Sequence, residues 1–313
     1  MDFIAKLLGS ILNVLYGICG NFGIAIILFT IIIKLCLLPL NIKQQKSIKN
    51  MAKVQPKLLA LQEKYKDNQE LYAQEVMKFQ KEENFNPFTG CLIALIQIPI
   101  ILGMFYIVSK PLTYMVKMEP EQIQTIKQEL QIEDTSGMYS YDEIEIIKRS
   151  DKVDIDLDFV GINLGDIPAK NPSNYALLII PILSVVITVL SLIITKRMND
   201  SFNKDNPQYQ ETQKSMNMLN YVLPVMSGYI AYQVPLGLGL YWLFSNLVQT
   251  AISVGMMIYF NNEEKKEIRS INPLASLNDI KLLPFILIVF LFIVAVINIV
   301  CTFSLGLFLV IAS

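Results

Sequence analysis

Residues 27–40 read ILFTIIIKLCLLPL, an apolar run broken by one cation, Lys34, and one proline, Pro39. An α-helix needs about 20 apolar residues to cross roughly 30 Å of hydrocarbon. The run reaches back to Phe22 without an Asp or Glu, so residues 22–40 meet that requirement. Segments 91–109, 175–195, 218–234 and 237–260 share this character, and none of them contains an Asp or Glu either. A sixth run, 282–312, is long enough to span with room to spare. The expected fold is therefore an all-α polytopic membrane protein.

Composition agrees. Of 313 residues, 53% are apolar and 17% charged, against roughly a quarter charged in soluble domains. The net charge of −1 gives no reason to expect a nucleic-acid partner. The chain has no histidine, which excludes Ser-His-Asp and Cys-His catalysis, His-ligated metals and imidazole relays. Cys19, Cys36, Cys91 and Cys301 are far apart, without a CxxC pair, and read as small buried hydrophobes. No phosphate-binding GxxxxGK[ST] string occurs. No basic n-region or small-residue cleavage site opens the chain, so a removable signal peptide is not expected. Neither an enzyme activity nor a cofactor is expected.

Lysine and arginine placement sets the expected orientation. Segment 41–87 holds nine lysines against six acids, while 110–172 holds seven basic and thirteen acidic residues. Segment 196–214 opens on Lys196-Arg197, and 261–281 carries Lys265, Lys266, Arg269 and Lys281. The expected plan has an interfacial amphipathic helix at 1–20, with the N-terminus outside, and a first span at 21–40. A cytoplasmic helical hairpin follows at 41–87, its turn at Lys66-Asp67-Asn68 and Pro56 interrupting or restarting its first helix. A second span at 88–109 leads to an extracytoplasmic loop at 110–172, whose acidic insertion 117–158 reads as a polar domain or a flexible segment. Spans at 173–195, 216–234 and 237–260 follow, with a cytoplasmic loop at 196–215, a cytoplasmic linker at 261–281 and a sixth span at 282–312. Lys43, Lys46, Lys49, Lys53 and Lys57 fall near the membrane, where anionic lipid attracts them.

Lys34 is the residue most suggestive of function. It lies about seven residues inside the boundary near Asn41, roughly 10 Å deep at 1.5 Å per residue, where a charge costs up to about 3 kcal/mol. Two readings stand: the stem snorkels to the headgroups, or the ammonium faces a hydrated cavity inside the bundle. Thr30, Gln97, Ser184, Thr188, Ser191, Ser227, Gln233, Asn246 and Gln249 could line such a cavity. Ser and Thr in spans commonly serve as packing glue; Gln and Asn are harder to dismiss. Pro39, Pro99, Pro181 and Pro224 each free a backbone carbonyl inside a span. Tyr241 and Trp242 follow the tight Pro235–Gly239 turn, where an interfacial aromatic position is the plainer alternative to a site role.

Four strings in this order and spacing resemble the YidC/Oxa/Alb family of membrane protein insertases, in the short bacterial form without the large outer domain. They are IILFTIIIKLCLLPLNIKQQKSIKNMAKVQPKLLALQEKYKD (26–67), NPFTGCLIALIQIPIILGMFY (86–106), GINLGDIPAKNPSNYALLIIPIL (161–183) and PLGLGLYWLFSNLVQ (235–249). The resemblance covers roughly 1–110 and 159–260. It implies a five-helix core around a hydrophilic groove open to the cytosol and to lipid and closed on the outer side, with a cytoplasmic hairpin, here 43–83, after the first core helix. By the same resemblance the groove cation falls on Lys34, where the family most often has arginine, and a groove glutamine falls on Ser191. The implied function is insertion and folding of newly made membrane proteins in a bacterial plasma membrane, with the bilayer, the Sec translocon and the ribosome as partners. Lysine keeps the charge but loses the planar fork that holds a carboxylate bidentately. A small-solute transporter or channel could also use kinked spans and a buried cation. Against it stand the lack of Asp, Glu or His within the core spans and the lack of evident inverted repeats. An intramembrane protease lacks both a histidine partner and paired aspartates; a non-catalytic scaffold could share the whole fold.

Overall fold

A computed structural model of the chain describes residues 2–82, 92–132, 141–203 and 221–271. The protein is mostly helical. Helix α1 (Asp2–Cys19) and α2 (Phe22–Cys36) meet at Gly20, whose φ of +68° suits a residue without Cβ. Asn21 starts α2, its side chain accepting the Ile24 N–H at 3.2 Å. α2 ends at Leu37. The chain then bends by 53° into α3 (Leu38–Lys64), with Pro39 in its first turn, where a missing N–H costs nothing. The span expected at 21–40 is thus divided in two.

α3 runs through Pro56 without a break, and α4 (Gln69–Glu82) turns back to pack against it as a hairpin. Asn68 caps α4 by accepting the Leu71 N–H at 3.0 Å, and Lys57 lies 6.0 Å above the Phe79 ring across the pair. Lys43, Lys46 and Lys57 are exposed. The side chains of Lys49 and Lys53 fall outside the described residues.

α5 (Leu92–Ser109) carries Pro99 in its interior and ends in a π turn, Leu112–Val116. α8 (Ile179–Asn203) follows a short 3-10 turn at Tyr175–Leu178, and α9 comprises 221–233. α10 (Leu236–Ile271) packs on α8, α2 and α5. Phe22, Ile26 and Phe29 of α2, Met104 and Ile107 of α5, and Leu240, Tyr241 and Phe244 of α10 form the centre of the core. α1 and Tyr175–Arg197 are each long and apolar enough to cross a membrane, as is the bent pair Phe22–Cys36 and Leu38–Gln44 taken together. The sixth span expected at 282–312 lies outside the described residues.

α1 presents three stripes. Ala5, Leu8, Gly9 and Leu12 are buried against α2, α5 and the π turn. Phe3, Leu7, Val14 and Ile18 are exposed apolar residues, and Asp2, Lys6, Ser10 and Asn13 form a polar edge. At Gly9 the helix touches the π turn so closely that a Cβ would sit 2.1 Å from the Tyr114 carbonyl oxygen.

The segment expected as a polar domain or flexible insertion is a folded cap, described over 117–132 and 141–171. It contains α6 (Pro120–Glu129), α7 (Asp142–Arg149) and a two-stranded antiparallel pair, β1 (Asp158–Phe159) with β2 (Ile162–Asn163). Its alternation Asp154-Ile155-Asp156-Leu157-Asp158 explains why so acidic a stretch folds: Ile155 and Leu157 point into the core while the aspartates stay exposed. Lys127 of α6 forms an ion pair with Asp142 of α7. Cap and hairpin sit at opposite ends of α2.

Candidate functional site

Lys34 occupies the last turn of α2, twelve residues from Phe22, and therefore about 18 Å along the helix from its cap end. It is 5% exposed. Its ammonium points into the bundle, donating to Gln97 Oε1 of α5 at 3.3 Å and to Gln249 Oε1 of α10 at 3.2 Å.

Both glutamines are oriented by a further partner. Gln97 Nε2 donates to the Tyr241 hydroxyl at 2.9 Å, which turns its oxygen towards Lys34. Gln249 Nε2 donates to Asn41 Oδ1 at 3.0 Å, and Asn41 Nδ2 donates to the Leu37 carbonyl at 3.1 Å, at the bend between α2 and α3. The result is a ladder of polar groups across α2, α3, α5 and α10. Its acceptors are neutral: among the described residues no carboxylate pairs with Lys34. The cation's charge is solvated by amide dipoles and not cancelled. An ammonium has three donors, and two are used among the described residues.

The other residues singled out in the sequence divide into groups. Thr30 is fully buried, but its hydroxyl donates to the Ile26 carbonyl in its own helix at 2.7 Å. Thr188, Ser191 and Ser227 form a hydroxyl seam along α8: the Thr188 and Ser227 hydroxyls meet at 3.3 Å between α8 and α9, and Ser191 meets Thr250 of α10 at 2.5 Å. Asn246 touches that seam only through its backbone carbonyl, which accepts from the Thr250 hydroxyl one turn on in the same helix at 2.8 Å. Ser184 is fully buried, and its carbonyl accepts from Thr188 at 2.7 Å. Trp242 is half-buried beside Tyr241, and Gln233 is exposed at the end of α9 beside Pro235, so neither joins the ladder. Asn41 is the ladder residue that sequence reasoning missed, having been taken as a span boundary. Its position seven residues after Lys34, two helical turns along the same face, was the available signal. Among the described residues no three potential metal-ligating side chains cluster.

These features define a polytopic α-helical membrane protein built around a buried, cation-centred polar ladder. The family described as 60Kd inner membrane protein matches residues 14–267. The chain is 30% identical to the membrane protein insertase YidC of Clostridium perfringens over 253 residues, 81% of this chain and 85% of that one. It is 30% identical to the YidC of Fusobacterium nucleatum over 247 residues, 79% of this chain and 91% of that one. Identity to YidC 2 of Listeria innocua is 32% over 252 residues, 79% of this chain and 68% of that one. The chain belongs to the YidC insertase family, in its short form, and is a multi-pass bacterial membrane protein.

Proposed function

We propose that this protein inserts other membrane proteins into the bilayer and helps them fold, with Lys34 as the groove cation and no covalent chemistry. The observation that carries the reading is the Lys34 ladder: a cation held in the core of the bundle, among the described residues, by neutral acceptors. In this reading the described arrangement is a resting form. A client's polar, often acidic, segment enters from the hairpin side and displaces a glutamine oxygen from the ammonium, so that a full charge replaces a dipole. At an effective dielectric near 20 and a separation of 4 Å, the attraction is about 4 kcal/mol, comparable to the cost of about 2.5–3.5 kcal/mol for one charge inside a span. The client helix then leaves sideways into lipid, driven by its own apolar surface.

The lysine-rich hairpin supports a cytoplasmic position for that end of the bundle and an extracytoplasmic position for the cap and N-terminus. Core spans at 21–40, 88–109, 173–195, 216–234 and 237–260 belong to the same proposal. The three stripes of α1 support a helix lying at the interface. The Sec translocon and the ribosome are the partners proposed for the cytoplasmic face, with Lys43, Lys46, Lys49, Lys53 and Lys57 as the recruiting surface.

The test uses purified protein in proteoliposomes and a single-span client with an acidic translocated tail. Lys34→Ala should abolish protected insertion, and Lys34→Arg should restore it. Equal insertion by all three proteins removes the electrostatic step. Solute uptake in the same vesicles without any client would instead favour a transporter.

A further inference from the structure

We infer that the acidic cap is a clamp over one end of the bundle, and that Glu143 is its latch, a positioning residue that keeps the cap-side ends of α2, α5 and α10 together. These are the helices that carry Lys34, Gln97, Tyr241 and Gln249.

Three anchors tie the cap to these helices, one on each, and the Tyr16 hydroxyl of α1 adds a fourth by accepting the Asp156 N–H at 2.8 Å. On α5, Glu143 of α7 is buried against the π turn. Its Oε1 accepts the Thr113 hydroxyl at 2.5 Å and its Oε2 the Thr113 N–H at 3.0 Å. Those donors lie at the start of the π turn, where backbone N–H groups have no helical acceptor, so the carboxylate supplies what the local fold lacks. On α2, Asn21 Nδ2 donates to Asp156 Oδ2 at 2.8 Å and to the Asp158 carbonyl at 2.6 Å, while the Phe22 N–H reaches the Asp156 carbonyl at 3.1 Å. On α10, the first two N–H groups, of Leu236 and Gly237, donate to the carbonyls of Asp166 and Leu164 at 2.9 and 2.8 Å.

Shape follows the same plan. Phe159 seats against α2 where Gly23 leaves room; a Cβ there would fall 2.4 Å from its ring. Of the three anchors, only that on α5 depends on a single buried side chain. The backbone bonds on α10 survive any side-chain change, and Asn21 is only half-buried and has two acceptors. The acidic composition of this segment therefore has a structural use, because Glu143 presents acceptor oxygens to the part-buried Thr113 donors at the start of the π turn.

The inference takes only the location of the polar ladder from the insertase reading, and its test needs no client, so either can fail without the other. The full chain, with its four cysteines replaced by serine and a single reporter Leu240→Cys, is reconstituted in liposomes. Leu240 is buried one helical turn beyond the α10 anchor. A membrane-impermeant maleimide is applied to the cap side. With Glu143 intact, the reporter should label slowly. Glu143→Ala should raise the labelling rate at least tenfold, and Glu143→Gln should not, because its amide oxygen still accepts from Thr113. Thr113→Val, which removes one bond and leaves the carboxylate, should give an intermediate rise. The inference is overturned if Glu143→Ala labels as slowly as the parent while its circular dichroism is unchanged, or if the Gln variant labels as fast as the Ala variant. Should the Ala variant fail to fold, an unchanged rate in Thr113→Val overturns it equally.

Discussion

Replacing Lys34 by methionine should separate stability from activity. In the folded protein the ammonium makes two hydrogen bonds, at 3.3 and 3.2 Å. Hydrogen bonds to charged groups contribute about 1.5–3 kcal/mol each, so the pair supplies about 3–6 kcal/mol. Against this, taking a cation out of water costs several kcal/mol even after relaxation. Methionine fills similar volume without charge, so the two terms nearly cancel and stability should change by less than about 2 kcal/mol. For a domain of this size that is a Tm shift within about 8 °C. Activity should respond differently. Loss of an attraction of up to about 4 kcal/mol, at 1.36 kcal/mol per tenfold, predicts insertion of an acidic-tailed client up to about 900-fold slower. A neutral-tailed client should change by less than about threefold. The assay is protease-protected insertion of paired clients differing only in tail charge, alongside a thermal melt of the purified variant. Parallel loss of both clients, or no loss of either, refutes the reasoning.

Asn41→Ala removes the partner that orients Gln249, a hydrogen bond worth about 1 kcal/mol. It should slow acidic-client insertion by about fivefold in the same paired assay and leave the neutral client unaffected. Gly9→Ala places a Cβ 2.1 Å from a backbone oxygen, whereas Gly23→Ala meets the Phe159 side chain at 2.4 Å. Overpacking costs about 1–3 kcal/mol, and thermal melts should show Gly9→Ala nearer the top of that range because the Phe159 ring can shift. Burial is the dominant influence on Glu143 and pushes its carboxyl above the ordinary glutamate value, opposed by the Thr113 and Leu112 donors and by Lys110. A raised carboxyl binds its proton more tightly folded than unfolded, so its contribution to stability falls as pH rises from the ordinary value through the raised one. Melting temperature followed over that window should decline with pH for the parent, and Glu143→Gln should flatten this component of the profile.

The chain's membrane character was legible in the sequence because hydrocarbon imposes a one-dimensional constraint. A spanning helix must satisfy its own backbone and be apolar along about 20 residues, which can be read along the chain at 91–109 or 175–195 with no knowledge of neighbours. Lys34 stood out for the same reason, as the cation that violates the rule. The polar turn at 66–68 and its flanking periodicity were the grounds for expecting a hairpin at 41–87.

Other features depended on three dimensions. Which way Lys34 points is decided by Gln97 and Gln249, 63 and 215 residues away in sequence. Whether those amides present oxygen or nitrogen is decided in turn by Tyr241 and Asn41. No local pattern encodes that, because a glutamine in a span can serve as packing glue or as an acceptor with equal propriety. The same holds for the cap. Its charge count describes a polar loop, yet Glu143 is buried because α7 lays Ile144, Ile146 and Ile147 against the core and carries the carboxylate with them onto the Thr113 donors. Sequence fixes what each segment must avoid in lipid or water; packing decides which polar groups then find one another.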